Sequence, residues 1–314
     1  MKEIRHTVIL ITYNQENYIE MALRSALEQD TLPFEIIIGD DSSTDDTFNI
    51  VLNIQKEYPN IIKLFRHKKN LGVFKNIEFL REKVTGDVVT FLAGDDYLNY
   101  GLFTELNNVI RLNNINLDDD YYVIPNISIL QLNGNTRTVD NYANRQLNSF
   151  KQRIRYSLMC GAIGISTSLL KKVSPYRTDI GYHADWLWSL ELDFKCKKQY
   201  YTPFVAFTYR ASVGVSHTTN KEAQGKSLVK TLTIIKSQFS NELDRKDKLY
   251  LNLVYRFEMY KASRNVSDYL IFLFLYVRNI RNIDSNNYIR NYKNIIPIPI
   301  LLSLISLKSF IKRL

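Results

Sequence analysis

The fold is decided by the stretch HTVILITYNQENYIEMALRSALEQDTLPFEIIIGDD, residues 6–41, which is typical of a strand, a helix and a second strand. His6 to Thr12 and the segment from Phe34 onward are apolar runs, as expected of strands buried on both faces. Between them, five apolar residues recur at helical spacing: Ile19, Ala22, Leu23, Ala26 and Leu27.

The alternation of strands and helices continues along the chain. IIKLF from Ile61 and VVTFL from Val88 predict two more strands. A third helix is predicted by the spacing of Val73, Ile77, Leu80 and Val84. Alternating buried strands and helices predict an α/β fold with a doubly wound, mostly parallel sheet, in which ligands bind beyond the carboxyl ends of the strands.

The second helix of this pattern follows the second strand and ends near Pro59. Ser43 and Thr44 are offered as its N-caps, because hydroxyl side chains accept hydrogen bonds from the first free amides of a helix. Asp45 and Asp46 are then expected in its first turn.

Polar clusters follow three of the predicted strands, namely TYN at 12–14, GDDSST at 39–44 and GDD at 94–96. An isolated GDD is also typical of a helix cap followed by a solvated turn. The chain has neither G-x-G-x-x-G nor G-x-x-x-x-G-K, so its loops are not built to hold a pyrophosphate through glycine amides. Carboxylates must hold phosphates through a cation, and oxygen ligands favour Mg²⁺ or Mn²⁺.

With these motifs the chain resembles the family 2 inverting glycosyltransferases of GT-A fold, of the bacterial surface-polysaccharide type. Four segments follow that family's N-terminal pattern in order: VILITYNQENYIEMALRSALEQD, FEIIIGDDSSTDDT, NLGVFKN and GDVVTFLAGDDYL. The resemblance covers residues 6–100 strongly and 155–217 weakly. We therefore predict a GT-A domain over residues 1–217 and a helical, basic and apolar region over 218–314.

The resemblance implies a metal-dependent hexosyltransferase that uses a nucleotide-sugar donor, with UDP as the nucleotide. The acceptor would be a hydroxyl of a saccharide or lipid-linked saccharide, in assembly of an O-antigen-like or capsule-like polysaccharide. Two other classes stay open. A sugar-phosphate nucleotidyltransferase would need a GxGxR loop after the first strand, where ITYNQEN stands; a non-catalytic nucleotide-sugar binder would be indicated by loss of Asp96 or Asp185, and both are present.

Carried over residue by residue, the resemblance implies a donor pocket at the sheet edge. Thr12 and Tyr13 would line the base and ribose with Asn14 beside them, and Asp41 would accept a hydrogen bond from uracil. Packing over the sheet is the alternative for Tyr13. Asn76 would lie near the diphosphate; its neighbour Lys75 could do the same or be a solvated surface residue.

Asp95 would hold the ribose and Asp96 would bind the Mn²⁺ or Mg²⁺ that bridges the phosphates. Many relatives have D-x-D-D here, but this chain has Ala93 in place of the first acid. The metal site is therefore lean, and the cation is expected to arrive with the nucleotide. Arg210 or His217 would close over the diphosphate. His217 is not in register with the family's histidine, so whether it binds the metal instead stays open.

YHADWLWSLELDF, residues 182–194, supplies the base that the resemblance implies. Asp185 matches the catalytic aspartate, and a helix N-terminus favours its ionised form. Its alternative role is to cap this helix, with Trp186 and Trp188 as core. His183 could contact the acceptor or only fill the turn.

Composition indicates where the protein works. The net charge of +9 is uneven: residues 218–314 hold 17 basic against 7 acidic residues, which leaves 24 against 25 for residues 1–217. No nucleic-acid-binding motif accompanies the basic region, so an anionic membrane surface is the better partner. Two cysteines and a charged start without a signal-peptide pattern predict a cytoplasmic protein, peripheral at the inner face of the cell membrane.

The C-terminal region has good helical periodicity from Lys221 to about Arg264, with one apolar face formed by Leu228, Leu232, Ile235 and Phe239. Two apolar runs follow, at 269–277 and 295–307, and both are shorter than the roughly 20 residues needed to span a bilayer. We expect an interfacial attachment. The alternative is a helical bundle packed on the catalytic domain or on a second subunit, which would form a homodimer.

Overall fold

The computed structural model describes residues 3–143, 150, 153–154, 163–211, 213, 221–263 and 266–279. Its strands are β1 (His6–Thr12), β2 (Glu35–Asp40), β3 (Ile62–Arg66), β4 (Val88–Ala93), β5 (Tyr97–Leu98), β6 (Tyr121–Leu130), β7 (Thr136–Val139), β8 (Gly164–Ser166) and β9 (Lys198–Arg210). Its helices are α1 (Ile19–Leu27), α2 (Thr47–Glu57), α3 (Val73–Arg81), α4 (Leu102–Leu112), α5 (Thr167–Lys172), α6 (Ala184–Lys195), α7 (Lys221–Gln238), α8 (Arg245–Ser263) and α9 (Val266–Asn279).

In the described part of the chain the strands form one sheet, in the order β3-β2-β1-β4-β8-β6-β9-β5, with β7 paired to β6. The first four strands along this order are parallel, and so are β6 and β9. Strand β8 is antiparallel to both of its neighbours, and β5 is antiparallel to β9. The predicted α/β class with a mostly parallel sheet is confirmed.

Apolar side chains on both faces of the central strands make two core layers. Val8 and Leu10 of β1 point into one layer, and Ile9 between them points into the other. This alternation follows from the two-residue period of a strand and explains the unbroken apolar runs in the sequence. The five apolar residues predicted for one face of α1 are all buried.

The prediction for the start of α2 was wrong. The helix begins at Thr47, with Asp46 as its N-cap residue and no acidic residue in its first turn. The carboxylate of Asp45 instead accepts hydrogen bonds from the main-chain amides of Glu16 and Thr47. The segment before the helix is therefore used to tie the loop after β1 to the loop after β2.

The C-terminal region is helical, as predicted, but the periodic stretch from Lys221 contains two helices, α7 and α8. The main-chain N–H groups of Asp244 and Asp247 each donate to the other residue's carboxylate, and this exchange begins a new helix, α8. The four residues of the predicted apolar face, Leu228, Leu232, Ile235 and Phe239, are buried.

The first apolar run falls in α9, and the run at 295–307 lies outside the described residues. Helix α9 buries Phe272 and Leu273 but exposes Leu270, Ile271 and Phe274. Over the described ranges, no helix combines the length and the hydropathy that a membrane crossing requires.

The contacts of the chain divide into two compact units. The first holds the described residues within 1–149, 159–178 and 188–219. The second holds those within 150–158, 179–187 and 220–314. The proposed boundary at residue 217 stays a prediction.

Candidate functional site

Three polar loops meet at the carboxyl edge of the first four strands, in the first unit. Asp41 donates its main-chain N–H to the carbonyl of Thr12 (2.9 Å), and Gly94 donates to the carbonyl of Ile11 (2.9 Å). Hydrogen bonding between β1 and its two neighbours thus continues past the strand ends. The convergence expected from the sequence is what the sheet register produces.

The loops are joined side chain to side chain around Gln15. The hydroxyl of Thr12 donates to Oε1 of Gln15 (2.9 Å), and the Gln15 side chain also hydrogen-bonds Asp95. A Cβ on Gly94 would lie 2.5 Å from Oε1 of Gln15 and 2.9 Å from Oγ1 of Thr12. Glycine at position 94 is therefore what lets the acidic turn approach the loop after β1.

Tyr13 and Asn14 follow Thr12 in this loop. Tyr13 is 40% exposed, so its ring is available to a ligand. Asn14 has a φ of 51°, in the left-handed region that asparagine tolerates better than most residues. Its Oδ1 accepts the main-chain N–H of Thr44 (2.8 Å), and its own N–H donates to the hydroxyl of Ser43 (3.0 Å). Asn14 thereby shapes the loop.

Asp41 is buried and ties a further loop to the edge. Its two carboxylate oxygens accept the main-chain N–H groups of Leu71 (2.7 Å) and Gly72 (2.8 Å). The NLG part of the NLGVFKN motif is thus held beside β2. Each oxygen keeps a second lone pair that a ligand donor could use.

Asn76 is 1% exposed and its amide is used inside the protein. Its Nδ2 donates to the carbonyl of Gly39 (2.8 Å), and its Oδ1 lies 3.0 Å from Nε2 of His67. A Cβ on Gly39 would fall 2.0 Å from Oδ1 of Asn76, so the pair fit only because residue 39 is glycine. The structure places Lys75 on the exposed surface of α3.

Asp95 and Asp96 are both buried at the end of β4. Burial raises the pKa of Asp95 above its usual range, against the lowering effects of hydrogen bonds and of Arg210. Burial, together with the charge of Asp95, raises the pKa of Asp96 to about 7, although Arg210 opposes this. Two adjacent carboxylates that are both desolvated resist carrying two negative charges unless a cation compensates them.

The carboxylate oxygens of Asp95 and Asp96 are ligands of the kind that suits a hard divalent cation, provided that the cation brings some of its other ligands with it. Oδ1 of Asp96 is occupied by the N–H of Arg210, whereas Oδ2 has no hydrogen-bond partner in the part of the chain that is described. Nowhere in that part do three His, Cys, Asp or Glu side chains cluster closely enough to hold a metal. The lean site expected from Ala93 stays a prediction. A cation held there would keep coordination positions for diphosphate oxygens and water.

Arg210, the last residue of β9, is the basic residue that contacts Asp95 and Asp96 among the residues described. Its main-chain N–H donates to Oδ1 of Asp96 (2.9 Å) and its Nε–H donates to the carbonyl of Asp95 (2.8 Å). The guanidinium lies over the rings of Tyr18 (5.4 Å) and Tyr97 (5.0 Å). His217, the other residue considered for this position, lies outside the described residues.

Asp185 lies in the second unit, in the first turn of α6. Its Oδ1 accepts the main-chain N–H of Trp186 (2.7 Å), so the side chain does bond to the start of its helix. Burial raises the pKa of Asp185 to about 6. The carboxyl group can therefore change protonation near neutral pH, as a general base must.

His183 precedes Asp185 by two residues and packs within the second unit. Its main-chain N–H donates to the hydroxyl of Ser227 (3.0 Å), and its Nδ1 lies 3.1 Å from the same oxygen. Burial lowers the pKa of His183. These contacts give His183 a structural role in joining the turn to α7.

Three residues of this edge were missed from the sequence: Gln15, Tyr18 and Tyr97. Gln15 lies in the loop after β1 and could have been noticed from its position alone. Tyr18 and Tyr97 gain their roles only through Arg210, which is more than one hundred residues away in the chain. No short-range pattern indicates that contact.

Comparison with known families gives one match over more than half of the chain. The sequence profile of Glycosyl transferase family 2 matches residues 7–173. This range contains all three polar loops and ends before Asp185 and Arg210.

One characterised relative is the GalNAc(5)-diNAcBac-PP-undecaprenol beta-1,3-glucosyltransferase of Campylobacter jejuni. It is 35% identical over 100 residues, which are 32% of this chain and 32% of that protein. The match thus spans about a third of the relative's own length.

Two solved structures have a similar fold. One is Staphylococcus aureus TarS 1-349 in complex with UDP-GlcNAc, with a TM-score of 0.60, 19% identity, and coverage of 88% of this chain and 81% of that one. The other is the mannosyltransferase PcManGT of Pyrobaculum calidifontis in complex with GDP-Man and Mn²⁺, with a TM-score of 0.57, 14% identity, and coverage of 98% and 87%. At these identities the likeness concerns the fold.

Proposed function

The chain belongs to glycosyl transferase family 2, and on that premise we propose that it transfers a hexose from a UDP-sugar to a hydroxyl group of a saccharide acceptor. The single observation that carries the proposal is the pair of adjacent, buried carboxylates, Asp95 and Asp96, at the carboxyl end of β4. The UDP-GlcNAc complex of TarS supports the choice of nucleotide. The undecaprenol-linked substrate in the name of the Campylobacter relative supports a lipid-linked acceptor, in assembly of a surface polysaccharide.

We assign nucleotide binding to the loops at the edge of the first unit. Thr12, Tyr13 and Asn14 would line the base and ribose, and the exposed ring of Tyr13 supports this because a nucleobase can stack on it. Asp41 would accept the N–H of uracil with a remaining lone pair. Asn76 would not contact the nucleotide but would support the site, by holding β2 and the loop after it in place.

Asp96 would hold a Mn²⁺ or Mg²⁺ ion through Oδ2, with Asp95 on the donor's ribose. When bound, such a cation neutralises negative charge on the departing diphosphate. Arg210 belongs to the same edge and supplies positive charge beside both carboxylates.

Asp185 would be the base of a single in-line displacement. It takes the proton from the acceptor hydroxyl, and the hydroxyl oxygen forms a bond to the anomeric carbon. The bond from that carbon to the diphosphate oxygen breaks on the opposite face, so the configuration inverts. The raised pKa of Asp185, about 6, supports this role because the group is mostly ionised at pH 7 yet basic enough to accept a proton.

The helical region after residue 217 would attach the enzyme to the inner face of the cell membrane. Helix α9 exposes Leu270, Ile271 and Phe274, and residues 218–314 carry a net charge of +10. Apolar insertion combined with basic residues is how interfacial helices bind anionic lipid. A homodimer formed through the same face would be the outcome if lipid does not bind.

The proposal is tested with the full chain and a panel of UDP-, GDP- and dTDP-sugars, by measuring release of free nucleotide with and without Mn²⁺. We expect release from one or a few UDP-sugars, stimulated by a saccharide acceptor and lost in excess EDTA. Full turnover in EDTA would contradict the metal-bridged diphosphate. No release from any donor would contradict the transferase assignment.

A further inference from the structure

Sheet pairing brings the end of β9 beside the acidic turn. Tyr97 of β5 pairs with Thr208 of β9 in antiparallel register. When this register is followed back from Tyr97 and forward from Thr208, Asp95 and Asp96 lie level with the last residues of β9. The last of these is Arg210, so its position beside the carboxylates is built into the sheet.

Arg210 makes two hydrogen bonds to this turn, one from its main chain and one from its side chain. The main-chain N–H holds Oδ1 of Asp96, and the Nε–H holds the main-chain carbonyl of Asp95. The first bond, which any residue other than proline at this position could make, sets the rotation of the Asp96 carboxylate and would leave Oδ2 for a cation. The second sets the main-chain path through Asp95.

The guanidinium is itself held in place. It lies against the rings of Tyr18 and Tyr97, and its Nη2 lies against Sδ of Met21. Stacking of this kind suits arginine, whose planar cation interacts with aromatic faces. In this arrangement the Nε–H is committed to the carbonyl of Asp95, and the rings of Tyr18 and Tyr97 hold the plane of the guanidinium.

We propose that Arg210 is a positioning residue: its guanidinium, held against Tyr18 and Tyr97, fixes the main chain at Asp95 and thereby the placement of the Asp95 and Asp96 carboxylates for the cation–diphosphate group, instead of binding the diphosphate itself. This inference rests on the proposed function and deepens it. It differs from the expectation, based on family resemblance, that Arg210 closes over the diphosphate.

The two possible roles of Arg210 predict different effects of replacing Tyr97 on nucleotide binding. If Arg210 positions the carboxylates, the tyrosine ring and the guanidinium act as a unit, and removing either has the same effect as removing both. If Arg210 binds the diphosphate, the tyrosine ring matters little, and loss of the guanidinium weakens nucleotide binding whether or not a metal is present.

The test uses calorimetric titration of the full chain with UDP, in Mn²⁺ and in EDTA, together with donor-dependent rates. We expect Arg210→Met and Tyr97→Leu each to weaken UDP binding in Mn²⁺ by about tenfold, and the double variant to lose no more than either single. In EDTA these variants should bind UDP as the wild type does. Tyr97→Phe, which keeps the ring, should recover most of the affinity lost in Tyr97→Leu.

Arg24→Met is the matched control, because Arg24 is a surface arginine of α1 that pairs with Glu20 and Glu57. It should leave UDP binding unchanged. If Arg210→Met does not fold, Arg210→Lys serves instead: it keeps the charge but lacks the Nε–H bond to Asp95, and we expect the same loss.

Three results would overturn the inference. They are additive losses in the double variant, equal loss in Mn²⁺ and EDTA for the Arg210 variant, and wild-type affinity in Arg210→Lys. Any of these in a protein that releases nucleotide from its donor would leave the proposed function intact. A wild type that neither binds UDP nor releases nucleotide from any donor would overturn both.

Discussion

Replacing the proposed base with asparagine should stabilise the protein while strongly lowering its activity. The pKa of Asp185 is raised from 3.8 to about 6 by burial, a difference of about two units. At 1.36 kcal/mol per unit, the ionised carboxylate costs the folded state up to about 3 kcal/mol. The cost is fully present above pH 6 and absent below pH 3.8, where the group is protonated in the folded and unfolded states alike. Asp185→Asn removes this cost but keeps an oxygen that can accept the N–H of Trp186.

The assay compares urea unfolding of the wild type and Asp185→Asn at pH 8 and at pH 3.5, alongside transfer rates at pH 7.5. We expect the variant to be more stable by up to about 3 kcal/mol at pH 8 and equal to the wild type at pH 3.5, with kcat lower by roughly 10²-fold or more. In the wild type, kcat should fall as the pH drops through about 6. Glu222→Gln, which removes an exposed carboxylate from α7, should change neither quantity. Persisting turnover in Asp185→Asn would show that Asp185 only begins its helix. A variant less stable than the wild type at pH 8 would show that burial does not penalise the ionised carboxylate.

Asp96→Asn should lower transfer by orders of magnitude and weaken nucleotide binding in Mn²⁺ but not in EDTA; equal binding in both conditions would contradict its role as a metal ligand. His6 is buried and its pKa is lowered to about 4, so the folded state resists the proton that the unfolded state takes up near pH 6.5. Stability should therefore fall by up to about 3 kcal/mol between pH 6.5 and pH 4, and this part of the pH dependence should vanish in His6→Asn. The full chain should sediment with anionic liposomes at low salt and bind neutral ones poorly, and Leu270→Gln with Phe274→Gln should remove most of this binding without unfolding the helix; a wild type that ignores liposomes at every salt concentration would favour a dimer interface.

The elements of the sheet edge could be predicted because their signals are local. The five apolar positions of α1 and the continuous runs of β1, β2 and β4 are fixed by what each segment must bury. The convergence of the three polar loops then follows from parallel strands sharing one edge. The four parallel strands β1 to β4 can be derived in this way.

Local signals failed where a side chain is claimed by a distant partner. Asp45 has the pattern of a first-turn helical acid, but the amide of Glu16 draws it into the loop contact and α2 begins later. The helix break after Lys221 is a different case. The exchange between Asp244 and Asp247 is local, but it leaves the apolar spacing undisturbed, so the periodicity does not show where α7 ends and α8 begins.

Arg210 is the clearest case in the candidate site. Asp95, Asp96 and Tyr97 come to it through the pairing of β5 with β9, which spans more than one hundred residues, and Tyr18 comes from the start of α1. A sequence pattern can mark an arginine after a strand, but it cannot tell whether the guanidinium faces a ligand or is held by tyrosines.

The anomeric configuration of the sugar as it leaves the donor distinguishes inverting transfer from a nucleotide sugar from every retaining alternative. With the donor identified in the nucleotide-release panel and water as the acceptor, time-resolved proton NMR records which anomer of the free sugar forms before mutarotation. We expect the first anomer to be opposite to that of the donor, and its formation to be strongly reduced in Asp185→Asn. First appearance of the same anomer as in the donor would contradict the single displacement on which the roles of Asp185 and Asp96 depend.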